Sequence, residues 1–146
     1  MVVENLRYAR ENLELKQKDI AKILNVNFTT VSGWETGKDT IPLRHLIKLA
    51  NKYNLSLDYL FGLTNYNKKY KPLNINLKLI GKNLKSIRIQ NHKTQAYIAK
   101  MLNTSQSAYA HYENAIYLIP TSFIFSLSKI YDNFSIDLIL GRELDG

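Results

Sequence analysis

The sequence predicts an all-α chain of two tandem five-helix domains joined by a basic linker. The strongest observation is an internal repeat, because residues 17–35 (QKDIAKILNVNFTTVSGWE) return with an offset of 78 as residues 95–113 (QAYIAKMLNTSQSAYAHYE). Apolar residues recur at helical spacing in both copies, and a composition that is 45% hydrophobic and 22% charged is typical of helical globular proteins. Since such a repeat defines a domain, we expect domains at 1–62 and 79–146 and a linker at 63–78.

Four periodic groups of residues predict the first four helices of copy one. They are Leu6, Ala9, Arg10 and Leu13; Ile20, Ala21 and Leu24; Val31 and Trp34; and Leu46, Leu49, Ala50 and Tyr53. The segment LSLDYLFG adds a short fifth helix. Start and stop residues agree with this order, because Asn27 precedes the third helix, Pro42 begins the fourth, and Gly37 and Gly62 follow helices three and five.

Copy two repeats the same order of helices. The equivalent positions are Leu84, Ile87 and Arg88; Ile98, Ala99 and Leu102; Tyr109 and Tyr112; and Ile124, Leu127 and Tyr131. Thr94 and Ser105 stand where N-caps of the second and third helices belong. One inserted residue near Asp132 shifts the last helix, so that SIDLILG aligns with SLDYLFG. The linker is polar, rich in Asn and contains Pro72, and it predicts no stable element.

The net charge of +8 is distributed unevenly along the chain. Residues 1–62 carry nine basic and seven acidic side chains, and residues 79–146 carry seven and five. The linker carries four basic side chains and no acidic one: Lys68, Lys69, Lys71 and Lys78. These lysines either keep the linker solvated or attract a polyanion, and both interpretations stay open here.

Several functional classes are disfavoured. The chain has no apolar run of 18 residues and its N-terminus is charged from the fourth residue, so we expect neither a membrane span nor a signal peptide. We therefore expect a cytoplasmic protein. It has no cysteine, and His45, His92 and His111 are too scattered for a metal site. No phosphate loop, carboxylate pair or Ser-His-Asp set has catalytic spacing. We therefore expect no enzyme, no cofactor and no evident small-molecule ligand.

One motif points to a known family. The helix that begins at Gln17, the turn at Asn25–Asn27 and the helix Phe28–Thr36, which ends in WETG, resemble the Xre family of helix-turn-helix proteins, which includes phage repressors and Cro. The resemblance covers nearly the whole chain, twice. It implies two lambda-repressor-like domains that bind double-stranded DNA and place their third helix in the major groove.

The resemblance also implies which residues contact DNA. In copy one they are Gln17, Asn27, Phe28, Thr29, Thr30, Ser32, Gly33, Lys38 and Arg44, and in copy two Gln95, Ser105, Gln106, Ser107, Ala108 and His111. The two glutamines at helix N-termini suit phosphate contacts. The uncharged face around Phe28 favours a modest readout of A·T pairs, whereas Gln106 is suited to adenine. Gly33 either permits close approach to DNA or is neutral.

Two further pairs of positions match family features. Arg10 with Glu35, and Arg88 with Glu113, match a family pair that links the first helix to the end of the third, and we expect ion pairs that are largely buried. Ala21 and Ala99 fall where two helices cross closely, so these positions are structural.

The loop after the third helix separates the copies. Copy two has Ile116, Tyr117 and Leu118 where copy one is charged, and Phe123 follows. Such an apolar patch indicates either a self-association surface or a larger core.

We expect a sequence-specific transcriptional regulator, a repressor of phage or mobile-element type, in which one chain occupies two different half-sites. One alternative assigns DNA to the first domain and homodimer formation to the second. Another is a protein-binding module, such as an antitoxin or an anti-repressor.

Overall fold

The computed structural model describes residues 1–146 and confirms the all-α prediction. Its ten helices are α1 Leu6–Asn12, α2 Gln17–Leu24, α3 Phe28–Thr36, α4 Leu43–Tyr53, α5 Leu57–Leu60, α6 Leu77–Gln90, α7 Gln95–Met101, α8 Gln106–Glu113, α9 Thr121–Ile130 and α10 Ile136–Ile139. An isolated β-bridge between Tyr70 and Leu144 is the sole extended pairing. None of the ten helices has the length and apolar character that a bilayer crossing requires.

The chain forms two compact units, each with five helices. The first unit contains Met1–Pro72 together with Leu144–Gly146, and the second contains Leu73–Glu143. Helices α1 to α5 belong to the first unit and α6 to α10 to the second. The two tandem five-helix domains that the repeat predicts are therefore present.

Equivalent repeat positions build the core of each unit. Leu46 and Leu49 of α4 are buried in the first unit, and Ile124 and Leu127 of α9 take their places in the second. Burial of one such side chain contributes roughly 1.5–3 kcal/mol. A fold of this size consequently depends on its few fully buried side chains, and the repeat preserves them as apolar residues.

The ends of the helices follow from local hydrogen bonding. The hydroxyl of Thr94 accepts a hydrogen bond from the backbone N–H of Tyr97, and Ser105 caps α8 in the same way. Gly37 ends α3 with a φ of 87°, a left-handed conformation that glycine adopts without strain. Asn27 does precede α3, but its side chain makes no capping hydrogen bond.

The segment expected to be a structureless linker differs from that expectation at both of its ends. Helix α6 begins at Leu77 because the side chain of Asn76 accepts a hydrogen bond from the backbone N–H of Leu79, so Lys78 is helical. Near the other end, Oδ1 of Asn67 accepts a hydrogen bond from the backbone N–H of Ser56 at 2.6 Å. Residues 63–72 accordingly belong to the first unit.

The second unit contains a buried ion pair that the sequence analysis did not predict. Nη1 of Arg142 donates to Oδ1 of Asp137 at 2.9 Å, and both side chains are at most 1% exposed. Copy one has Leu63 at the position equivalent to Arg142. Because the pair occurs in one copy alone, comparing the copies gives no signal for it.

A buried arginine–glutamate pair joins the first helix of each unit to the end of the third. Nε of Arg10 donates to Oε2 of Glu35 at 2.7 Å, and Nη2 donates to Oε1 at 2.8 Å. Arg88 and Glu113 repeat this geometry at 2.7 and 2.9 Å. The glutamate side chains are only 3% and 1% exposed. Both pairs are thus bidentate and almost fully removed from water.

The same groups also hold the turn after the first helix. Nη1 of Arg10 donates to the backbone oxygen of Leu15 at 2.8 Å, and Nε2 of Gln17 donates to the paired glutamate at 3.1 Å. In the second unit, Lys93 and Gln95 occupy the same two places at 2.9 and 3.1 Å. Each pair therefore connects the first helix, the following turn, the start of the second helix and the end of the third.

These contacts keep both glutamates ionised. Burial raises the pKa of Glu35 and of Glu113, but the hydrogen bonds from the paired arginine and glutamine outweigh it, so each pKa lies below its ordinary value of 4.5. Hydrogen bonding to the glutamate in turn raises the pKa of Arg10 and of Arg88.

We expect Glu35→Ala to unfold the first unit. The substitution leaves Arg10 buried without its partner, which costs on the order of 3–5 kcal/mol, a large part of the stability of a small domain. Trp34 is the only tryptophan and is buried in the first unit, so its fluorescence during a thermal melt reports on that unit. Lys18→Ala is the control, because it removes a charge from an exposed position of α2. A Glu35→Ala melt indistinguishable from that of the parent would sink the prediction.

We also expect a specific dependence of stability on pH. Because the glutamate pKa values are lower in the folded state, their contribution is complete above the ordinary value of 4.5 and is lost as the pH falls through the folded-state values. In urea unfolding of the parent followed at Trp34, the unfolding free energy of the first unit should therefore fall as the pH drops below 4.5. An unfolding free energy that stays constant through this range would contradict the role of the ionised pair.

Candidate nucleic-acid interface

The turn between the second and third helices has the same backbone in both units. Asn25 and Asn103 adopt left-handed conformations with φ of 55° and 59°, which asparagine tolerates better than most residues. Ala21 and Ala99 are buried at 4% and 2% exposure. Each alanine also accepts, through its backbone oxygen, a hydrogen bond at 2.9 Å from the residue that follows the left-handed asparagine. This turn sets the angle at which the third helix leaves the second.

The N-terminal part of α3 presents an uncharged surface. The side chain of Phe28 is 58% exposed, Thr29 is exposed and Thr30 is half-exposed. Asn27 is exposed and Ser32 is half-buried. Since Val31 and Trp34 are buried, the helix holds the exposed residues on one side by packing its other side into the core.

Gly33 does not lie on this exposed surface, contrary to the expectation from the sequence. It is buried, and a Cβ atom there would lie 3.3 Å from Oδ2 of Asp39 and 3.8 Å from Cβ of Lys38. The backbone N–H of Asp39 also donates to the oxygen of Gly33 at 3.2 Å. The glycine therefore makes room for the loop after α3, a packing role that neither of the two expected explanations included.

The two N-terminal glutamines are partly occupied. Gln17 and Gln95 are half-buried and each gives one amide hydrogen to the buried glutamate. An amide has two such hydrogens, so the second remains for a ligand outside. The geometry therefore couples these side chains to the buried pair as well as to the surface.

The second unit presents a more polar helix. Gln106, Ser107 and His111 of α8 are exposed and Ala108 is half-exposed, whereas Ser105 uses its hydroxyl to cap the helix. An open cleft at the preceding turn also brings Lys100 and Asn103 beside Gln106. Lys100 is not among the residues predicted to contact DNA, although Lys22 occupies the equivalent position in copy one. The recurrence of a lysine at this position in both copies was the sequence signal that pointed to it.

The loops after the third helices differ as their sequences do. Lys38 and Arg44 are exposed in the first unit. In the second unit Ile116 and Tyr117 are 54% and 60% exposed, and the ring of Tyr117 lies 5.5 Å from that of His111.

The other two residues of the apolar patch are less open. Leu118 and Phe123 are half-buried, and the ring of Phe123 packs edge-on against Tyr112 at 6.1 Å. The patch is therefore divided between packing within the unit and an exposed apolar tip at Ile116 and Tyr117.

Comparison with known proteins finds the same module twice. A protein-family model described as helix-turn-helix matches residues 6–60 and again residues 84–139. The HTH-type transcriptional regulator ImmR of Bacillus subtilis (strain 168) is 35% identical over 66 residues, which are 45% of this chain and 52% of ImmR. The Uncharacterized HTH-type transcriptional regulator YobD of the same strain is 31% identical over 64 residues, 44% of this chain and 57% of YobD. No solved structure matches the chain.

The matched ranges agree with the fold. The first runs from the start of α1 to the end of α5, and the second from within α6 to the end of α10. The chain spans just over half the length of the two curated relatives. Because the two matches together cover most of the sequence, the chain belongs to the Xre-like helix-turn-helix family and carries one copy of its module in each unit.

Proposed function

We propose that this chain is a sequence-specific, duplex-DNA-binding transcriptional regulator, and a repressor of phage or mobile-element type. The observation that carries the proposal is the repeated combination of an exposed third-helix N-terminus with a buried ion pair at that helix's other end. The names of the two relatives, both HTH-type transcriptional regulators, support the same class. We therefore expect a regulator and not an enzyme.

The side chains divide naturally into positioning and reading contacts. Gln17, Gln95, Lys38 and Arg44 suit phosphate contacts, which hold the protein in register on any sequence. Lys100 joins this group through its place in the cleft beside Gln106. Reading contacts come from the third helices and from the residue that precedes each: Asn27, Phe28, Thr29, Thr30 and Ser32 at α3, and Ser105, Gln106, Ser107, Ala108 and His111 at α8. Gly33 takes no part, since it is buried.

The two helices would read different bases. The Phe28 ring suits the methyl group of thymine, and threonine hydroxyls accept or donate to several bases. Gln106 can pair with both N6 and N7 of adenine. One chain would then recognise two dissimilar half-sites and act as a covalent pseudo-dimer, with each unit placing its helix in the major groove.

In a second arrangement, the first unit binds DNA and the second unit mediates self-association. The exposure of Ile116 and Tyr117 favours it, because copy one has Lys38 and Asp39 at the equivalent positions. An apolar tip in place of charged groups suits a protein partner better than a phosphate backbone. A second copy of the chain is the simplest such partner. An antitoxin or anti-repressor module is the remaining alternative, and it requires no operator.

Selection of bound duplexes from a random pool tests the main proposal. We expect the full chain to enrich a site with two dissimilar halves. Selection with Gln106→Ala should lose its preference at one base pair of one half, because a bidentate glutamine–adenine contact is worth about 1–3 kcal/mol. A footprint that covers one half-site per chain would contradict the pseudo-dimer, and a pool without enrichment would contradict DNA reading altogether.

Lys38→Ala provides the contrasting control for that selection. Loss of a lysine that contacts phosphate weakens the binding of all duplexes by a similar factor and reduces the slope of log affinity against log salt concentration by about one. The enriched sequence should therefore stay unchanged. A protein-binding module would not combine a steep fall in DNA affinity with rising salt and selectivity for one sequence.

Sedimentation of the free protein separates the two arrangements. The pseudo-dimer predicts a monomer at all concentrations, whereas self-association through the second unit predicts a dimer that forms as concentration rises. Tyr117→Lys should weaken that dimer, because it places a charge within the exposed apolar tip. Lys85→Ala, at an exposed position of α6, is the control and should leave it unchanged.

A further inference from the structure

A groove between α7 and α9 in the second unit has no role in the function proposed above. Its volume is about 480 Å³, within the range of small-molecule sites. Tyr97 and Met101, one helical turn apart on α7, form one wall, and Phe125 and Ile130 of α9 form the other. Tyr97 and Met101 are 42% and 52% exposed, so this apolar surface is open to solvent.

Two lysines border the same groove. Nζ of Lys93 lies 4.8 Å from the centre of the Tyr97 ring, and Nζ of Lys129 lies 4.9 Å from the centre of the Phe125 ring. Such cation–π contacts hold each ammonium group at the rim of the apolar wall. No carboxylate lines the groove, so its charge is positive.

The position of Lys93 is also fixed from inside the unit. Its backbone oxygen accepts a hydrogen bond from Arg88 of the buried ion pair, and its backbone N–H donates to the oxygen of Arg88 at 3.1 Å. One ammonium group of the groove is therefore carried on a turn that the core holds in place. These hydrogen bonds fix the backbone of Lys93, and the contact with the Tyr97 ring places its ammonium group.

Copy one lacks this combination. Asp19 stands at the position of Tyr97, Leu15 at that of Lys93 and Asn51 at that of Lys129. The equivalent surface therefore has a carboxylate in place of an aromatic ring and neither of the two bordering lysines, and its cations at lining positions are Lys48 and Lys52, which replace Ser126 and Ile130. The chemistry of the groove thus belongs to the second copy alone and is no general consequence of the fold.

We propose that the groove binds a small aromatic organic acid. Its planar ring would lie against Tyr97 and Phe125, for which aromatic surfaces are favourable partners, and Met101 would fit around it. Its carboxylate would pair with the ammonium groups of Lys93 and Lys129. The cavity volume, the aromatic walls and the unbalanced positive charge point to this class together. The site does not depend on whether the second unit contacts DNA.

Titration of the full chain with 2-naphthoate, followed by backbone NMR, tests the proposal. We expect saturable shifts confined to residues 93–101 and 125–130. The neutral analogue 2-naphthamide should bind about tenfold more weakly, because it cannot form the charge-assisted contacts. Equal affinity for the two probes, or no saturation by millimolar 2-naphthoate, would overturn the proposal.

Substitutions that introduce the residues of copy one provide a second test of the groove. Lys129→Asn and Tyr97→Asp change exposed positions, so the fold should persist, and each should weaken 2-naphthoate about tenfold or more. Lys82→Asn, at an exposed position of α6 outside the groove, should leave the affinity unchanged. An equal loss in Lys82→Asn would show a nonspecific charge effect and overturn the site. Shifts in the groove that grow with protein concentration in the absence of the probe would assign it instead to a second copy of the chain.

Discussion

A single desolvated interaction, the arginine–glutamate pair, organises each unit. The carboxylate at the end of the third helix receives two hydrogen bonds from the first helix and one from the start of the second. Because a buried charge is tolerated only when it is fully paired, these elements must assemble together or not at all. The orientation of the third helix, and with it the exposed surface at its N-terminus, depends on this requirement. The burial of Val31 and Trp34 in the core also holds the third helix in this orientation.

The repeat explains why much of this could be predicted. Arg10 with Glu35 and Arg88 with Glu113 stand at equal spacing in both copies, and the caps Thr94 and Ser105 act through hydrogen bonds to residues three positions away. Local or duplicated features of this kind can be recognised in a sequence. The burial of Gly33 cannot be recognised there, because it depends on how a loop folds back over the helix. The contacts of the exposed helix residues with DNA remain predictions, since exposure alone identifies no partner.

Features that occur once were the hardest to foresee. The pair of Asp137 with Arg142 has no counterpart in copy one, where Leu63 takes the arginine's place. Residues 63–72 are attached to the first unit through Asn67, whose Oδ1 accepts a hydrogen bond from the distant backbone N–H of Ser56. A groove between two helices likewise arises from side chains far apart in sequence. The two copies thus keep one internal framework and differ mainly at their surfaces, where substitutions cost little stability.

The isolated bridge between Tyr70 and Leu144 makes the first unit discontinuous in sequence. Leu144–Gly146 belong to the first unit, and the backbone N–H of Asp145 also donates to the oxygen of Lys69 at 3.1 Å. The whole second unit, Leu73–Glu143, therefore stands as an insertion between two segments of the first. The polypeptide consequently connects the two units at two points, at Pro72–Leu73 and at Glu143–Leu144, where a simple tandem repeat has one connection.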